Sequence, residues 1–250
     1  MSTPSPARND TVSDRLETVR GLIADAAARA RRPAADITLV AVSKTHPPES
    51  IAEALDAGQL IFGESRVQEA RAKIPLLPGR ARWHFIGHLQ RNKLRHALAL
   101  GFELLHGIDS LDLARELDRI AGEIGAFPKL LLEVNVAGES SKFGFSPARL
   151  REQMEELLSL DRLQIEGLMT IAPLTPTAAA ARPYFAQLRQ LRDTLQTDFR
   201  VPLPQLSMGM SGDYPIAIEE GATLVRVGTA IFGTRTGKAW KPEAAGGFDD

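Results

Sequence analysis

The sequence predicts a single parallel (β/α)8 barrel preceded by an extra N-terminal helix, and three observations carry that prediction. Short apolar runs recur about eight times, a helical pattern follows each, and the connections between them are short. Strand–helix alternation of this kind means parallel strands joined by crossover helices, and eight strands close such a sheet into a barrel. A doubly wound open sheet is the alternative. No G-x-G-x-x-G follows the first strand, which weakens it.

The elements follow in order. An amphipathic helix over about residues 12 to 31 comes first. The strands are "ITLVAVSK" (37–44), "LIFGES" (60–65), "RWHFIGHL" (82–89), "FELLHGID" (102–109), "KLLLEVNV" (129–136), "LQIEGLMTI" (163–171), "PQLSMGM" (204–210) and "TLVRVGTAIFG" (223–233). Between them, "PESIAEALDAG" has proline in its first turn and glycine just past its end. "DSLDLARELDRIAGEIG" starts on an Asp cap, with Leu111, Leu113, Leu117, Ile120 and Ile124 near helical spacing. "SPARLREQMEELLSL" opens on a Ser cap and Pro147, and "ARPYFAQLRQLRDTLQ" puts Tyr184, Leu188, Leu191 and Leu195 on one stripe. Residues 1–10 and 241–250 read as frayed tails around one domain over 11–240.

Composition excludes several function classes. The chain of 250 residues is 44% hydrophobic and 24% charged, as ordinary globular proteins are. A net charge of −1 gives no general attraction to nucleic acid or anionic membrane. The absence of cysteine removes disulfides, thiolate catalysis and cysteine metal sites together. With no apolar signal region and no run long enough to span a bilayer, the expectation is a soluble, cytoplasmic protein.

The chemistry is expected at the C-terminal ends of the strands. Strand one ends in Lys44, which can be a snorkelling strand-end lysine or a nucleophilic amine. The loops after strands seven and eight, "SMGMSGDYPIAIEEG" and "VGTAIFG", have the parts of a phosphate cup. Gly209 and Gly212 let backbone amides approach an anion, Ser207 and Ser211 supply hydroxyls, and Gly228 and Thr229 add donors from the next loop. A lysine, a phosphate cup and Arg226 on strand eight together suit pyridoxal 5′-phosphate. An arginine at the pyridine nitrogen would keep that nitrogen unprotonated and the ring a weak electron sink. His84 is either a polar group near the mouth or a packed histidine; with His88 it lacks a third ligand for zinc.

"VAVSKTHP", "IFGES", "VQEA", "WHFIGHLQRNK", "LEVNVAGESSKFGF", "GLMTIAP" and "LSMGMSGDYPIAIEEGATLVRVGTAIFG" resemble the pyridoxal phosphate homeostasis protein family over about residues 12 to 235. That family is similar to the N-terminal barrel domain of alanine racemase, fold type III of pyridoxal phosphate proteins. The resemblance implies a Schiff-base lysine at Lys44, phosphate contacts from Ser207, Ser211, Gly228 and Thr229, and Met208 among the cofactor-binding residues. It also implies Arg226 facing the ring nitrogen, with Ser65 and His84 beside the cofactor. The family's pattern has Asn-Tyr after "FGE", where this chain has Ser65 and Arg66.

The resemblance further implies a non-catalytic protein that buffers or delivers the cofactor, with pyridoxal-phosphate-dependent apoenzymes as partners and a monomer or weak dimer as the assembly. An amino-acid racemase is the second reading; it needs a base on the ring face opposite the lysine, and little chain follows strand eight to supply one. A Schiff-base aldolase using Lys44 alone is the third. "LQRNKLRHALAL" carries a basic cluster that reads as a solvated helix face or a docking patch.

Overall fold

The computed structural model describes residues 10–139, 142–233 and 240; of the predicted tails at 1–10 and 241–250, all but residue 10 lies outside the described residues. Eight parallel strands close into a barrel in sequence order: β1 (Thr38–Val42), β2 (Ile61–Glu64), β3 (Arg82–Phe85), β4 (Leu104–Ile108), β5 (Lys129–Glu133), β6 (Gln164–Met169), β7 (Gln205–Ser207) and β8 (Leu224–Val227). β8 returns to β1 with Val40 opposite Arg226, which closes the ring.

Nine helices are described: α1 (Val12–Arg29), α2 (Pro48–Asp56), α3 (Val67–Lys73), α4 (Leu94–Ala99), α5 (Leu111–Ile124), α6 (Pro147–Leu158), α7 (Arg182–Phe199), α8 (Tyr214–Glu219) and α9 (Thr229–Phe232). α1 is the expected extra helix. Thr11 caps it in a reciprocal box with Asp14, and Leu16, Val19 and Ile23 are buried on its inner stripe. α6 starts on Ser146 and Pro147, as its sequence predicts. α5 differs. Ser110, not Asp109, is its cap, and its hydroxyl accepts from the Leu113 amide. Asp109 is drawn instead toward His88, whose Nδ1 lies 2.9 Å from Asp109 Oδ2.

Strand alternation divides the core in two. The larger part fills the layer between strands and helices and includes Phe62, Trp83, Phe85, Leu132 and Leu206. The smaller part lies inside the barrel: Val40, Leu104, Leu131, Met169 and Leu224. The inner layer is thin, and polar residues on the same inward parity occupy the barrel above and beside it.

Candidate functional site

Lys44 follows Val40 and Val42 on the inward parity of β1, and its side chain is exposed at the C-terminal mouth. The protein alone does not desolvate it. It fixes the backbone on either side instead. Thr45 has φ of 68°, a left-handed conformation that is unusual for a β-branched residue. The Thr45 amide donates to Glu69 Oε1, and the Ser43 carbonyl accepts from Lys73 Nζ at 2.9 Å. Lys73 is fully buried and also donates to Glu64 Oε1 at 3.0 Å and Glu69 Oε1 at 2.6 Å. The Ser43 hydroxyl donates to Glu64 Oε1 at 2.8 Å, while Glu64 Oε2 has no hydrogen-bond partner among the described residues. Burial pushes the Glu64 carboxyl up, against the lowering effect of Lys73. Trp240 covers this cluster: its amide donates to the Thr45 carbonyl at 3.1 Å and its ring lies 5.2 Å from Lys73 Nζ.

A second network runs along the barrel axis. Arg226 is buried and donates through Nη1 to Ser207 Oγ at 2.5 Å and through Nη2 to the Thr170 carbonyl at 2.9 Å. Ser207 Oγ lies 2.9 Å from His106 Nδ1, and His106 Nε2 lies 3.0 Å from His84 Nδ1. Burial lowers Arg226 to about 10, partly offset by Glu133 and Asp213. Burial also lowers His84 to about 4 and holds His106 well below the usual imidazole range. Glu133, on the inward face of β5, is raised to about 7 by burial and by the charge of Asp109.

The loops after β7 and β8 form the third part. Gly209 has φ of 90°, and a Cβ there would lie 2.6 Å from the Ala217 Cβ, so glycine is required by both conformation and space. The Met210 amide donates to Asp213 Oδ1 at 2.6 Å, which closes the loop into α8. Ser211 Oγ accepts from the Gly228 amide at 3.2 Å and the Ala230 amide at 3.4 Å. Two backbone donors thus converge on one oxygen at the mouth, beside the exposed Thr229.

The structure brings Lys44, Ser211, Gly228 and Thr229 to the C-terminal ends of β1, β7 and β8, with Arg226 beneath them in the barrel. Ser65 follows β2 at the same face, and its carbonyl sits so close to Gly87 that a Cβ there would clash at 2.2 Å. Ser207 is not brought to the loops; it lies inside the barrel between Arg226 and His106. Met208 is buried in the layer beneath the helices, because the residue after an inward serine must point outward. His84 lies low in the barrel and lines a cavity of about 140 Å³ with Thr38, Arg82, Glu103 and Lys129, at the N-terminal ends of the strands. The sequence places Glu64 at the end of the second strand without giving it a partner, and marks none of His106, Thr170, Glu69 and Lys73. The parity of "LLHGI" on β4 is the signal that places His106 inside; nothing in the sequence pairs it with Ser207.

The family model for the N-terminal domain of alanine racemase matches residues 21–236. The chain is 44% identical over 223 residues to the pyridoxal phosphate homeostasis protein of Aquifex aeolicus, covering 89% of this chain and 97% of that one. It is 42% identical over 232 residues to the protein of that name from Pseudomonas aeruginosa, covering 90% and 96%. Among solved structures it is similar to PipY of Synechococcus elongatus with PLP bound. There the identity is 44%, the TM-score is 0.77, and the match covers 89% of this chain and all of that one.

Proposed function

Because the chain belongs to the pyridoxal phosphate homeostasis protein family, built on the alanine racemase N-terminal barrel, we propose that it binds pyridoxal 5′-phosphate and buffers or delivers it inside the cell. One observation carries the reading to particular residues: Lys44 opens onto the same mouth where the Gly228 and Ala230 amides converge on an oxygen. That geometry fits a phosphate oxygen in place of the Ser211 hydroxyl, and it leaves the lysine free to take an aldehyde. In this reading Lys44 Nζ holds the cofactor covalently. Ser211, Gly228 and Thr229 hold the phosphate, and Arg226 faces the ring nitrogen from below. The cofactor would supply carbonyl chemistry at Lys44.

Arg226 argues for storage over turnover. It is buried, keeps its charge at working pH, and is itself held by Ser207 and Thr170. A cation at that place would oppose protonation of the ring nitrogen and so would leave the cofactor a weak electron sink. Apoenzymes that need the cofactor are the natural recipients, and a monomer or weak dimer in the cytoplasm is the expected form. An amino-acid racemase remains the second reading because His88, oriented by Asp109, places an imidazole–carboxylate pair at the same end of the barrel.

The test is borohydride reduction of the protein loaded with pyridoxal 5′-phosphate, followed by peptide mapping. A pyridoxyl group on Lys44 is expected, and label on another lysine would overturn the assignment. Incubation with common L-amino acids should give D-isomer or keto acid far more slowly than about 1 s⁻¹, and turnover at enzymatic rates would favour the racemase.

A further inference from the structure

The Arg226–Ser207–His106–His84 line has a direction, and hydrogen-bond chemistry fixes it. A guanidinium only donates, so Ser207 Oγ is the acceptor for Arg226 Nη1. Ser207 is fully buried, and its hydroxyl hydrogen has His106 Nδ1 within reach at 2.9 Å. His106 Nδ1 then accepts, so the ring carries its hydrogen on Nε2 and donates it to His84 Nδ1 at 3.0 Å. His84 in turn carries hydrogen on Nε2, which faces Glu103 Oε2 at 3.9 Å across the cavity at the opposite end of the barrel. Each contact of the line then has one donor and one acceptor, and both imidazoles are neutral. The depressed pKa values of the two histidines agree with that assignment.

We infer that His106 and His84 are positioning residues for the cofactor site: a one-way hydrogen-bonded line through the barrel axis that holds the Arg226 guanidinium beneath the mouth and reaches a cavity on the far face. The inference rests on Arg226 facing the ring nitrogen. Neither histidine touches the cofactor in this arrangement. They act through Ser207, which explains why that serine lies inside the barrel.

The groups that face the line are few among the described residues. His106 faces His84 and Arg226; His84 faces Arg82 on β3, Glu103 before β4 and His106 on β4. Lys129 on β5 and Glu166 on β6 line the same cavity, 3.6 Å apart as an ion pair. Arg226 faces Glu133 on β5 and Asp213 before α8. The far end is therefore charge-balanced, and among the members of the line Arg226 is the one that carries charge.

The experiment compares the absorption spectrum of bound pyridoxal 5′-phosphate, its pH dependence and its retention in the full chain and in His106→Phe and His106→Asn. Phenylalanine removes the acceptor for the Ser207 hydroxyl; asparagine restores one through its side-chain oxygen. His106→Phe should shift the spectrum and its pH profile and weaken retention about tenfold, the scale of one lost buried hydrogen bond. His106→Asn should fall between it and the parent. A folded His106→Phe with the parent's spectrum and pH profile would overturn the inference. If His106→Phe does not fold, Ser207→Ala breaks the line without added volume. It should shift the spectrum the same way and keep the preference for pyridoxal 5′-phosphate over pyridoxal. Loss of that preference would place Ser207 on the phosphate and overturn the inference as well. Borohydride labelling run in parallel separates the two readings: an unlabelled Lys44 in the parent protein breaks the lysine assignment alone, and the spectral comparison still reads the line.

Discussion

Behind β1 and β2, the barrel buries charge; along its axis, it buries neutral rings. The first network packs one ammonium, Lys73, against two carboxylates, Glu64 and Glu69, on the outer side of the strands. The second joins one guanidinium to a hydroxyl and two imidazoles. The difference follows from what each holds. The ion cluster fixes backbone: it grips the Ser43 carbonyl and the Thr45 amide and keeps Thr45 in its left-handed conformation, so the Lys44 side chain springs from a rigid base. The axial line fixes a side chain, and it does so with groups that bring no second charge near Arg226. A carboxylate in Ser207's place would pair with the guanidinium and offset its charge.

The largest effect should come from breaking the charged network. Lys73→Met leaves Glu64 and Glu69 buried and facing each other with no cation between them. Removing one partner of a buried ion pair costs about 3–5 kcal/mol, which corresponds to a fall in Tm of roughly 10 °C for a chain of this size. Thermal unfolding of the cofactor-free protein measures it. A loss under about 1 kcal/mol would mean the cluster is hydrated and does not grip the Lys44 loop. Changing Lys73 to Met together with Glu64 and Glu69 to Gln should recover much of the loss, since the uncompensated charges go too.

Acid should distinguish the networks next. His84 titrates at about 4 in the folded protein against 6.5 for an ordinary imidazole. The folded state therefore binds fewer protons than the unfolded chain in that window. Its contribution is fully present above pH 6.5 and is lost as pH falls toward 4, by about 3 kcal/mol. His106 moves in the same direction. The carboxyls work the opposite way: Glu64 is raised and Glu133 is raised to about 7, so their terms favour the folded state as pH falls. The comparison is thus the parent against His84→Phe, with denaturant midpoints followed from pH 7 to 4. The parent should lose more on acidification than the variant. Parallel curves would show that the His84 imidazole is already solvated.

How these networks arise explains what the sequence could and could not tell. The eight strands were legible because apolar runs report burial directly, and Lys44 and the loop glycines stand at strand ends that the barrel rule marks out. The outward turn of Met208 runs against the cofactor contact that the resemblance implied; it follows from alternation only once Ser207 is known to point inward. The cap of α5 was not, since Asp109 and Ser110 are both good caps and only the pull of His88 on Asp109 decides between them. The His106–Ser207 contact joins residues 101 apart in sequence, and pattern within either strand says nothing of it. Glu64 and Lys73 are near in sequence, yet "FGES" does not reveal that the glutamate turns outward to meet α3.

The smallest effect on the fold should come from the mouth, where water can replace what a side chain gives up. Ser211 Oγ accepts from the Gly228 and Ala230 amides at 3.2 and 3.4 Å, long bonds at partly exposed positions. In Ser211→Ala a water can take the place of the hydroxyl, so stability should change by less than about 1 kcal/mol. Binding should respond more. If a phosphate oxygen takes the same two amides, the serine hydroxyl is free to turn and donate to it, and charge-assisted bonds of this class are the stronger ones. Retention of pyridoxal 5′-phosphate should weaken about tenfold, while retention of pyridoxal changes little. A Tm loss as large as that of Lys73→Met would make Ser211 a structural cap of the β8 loop, and equal weakening for both compounds would move the phosphate elsewhere.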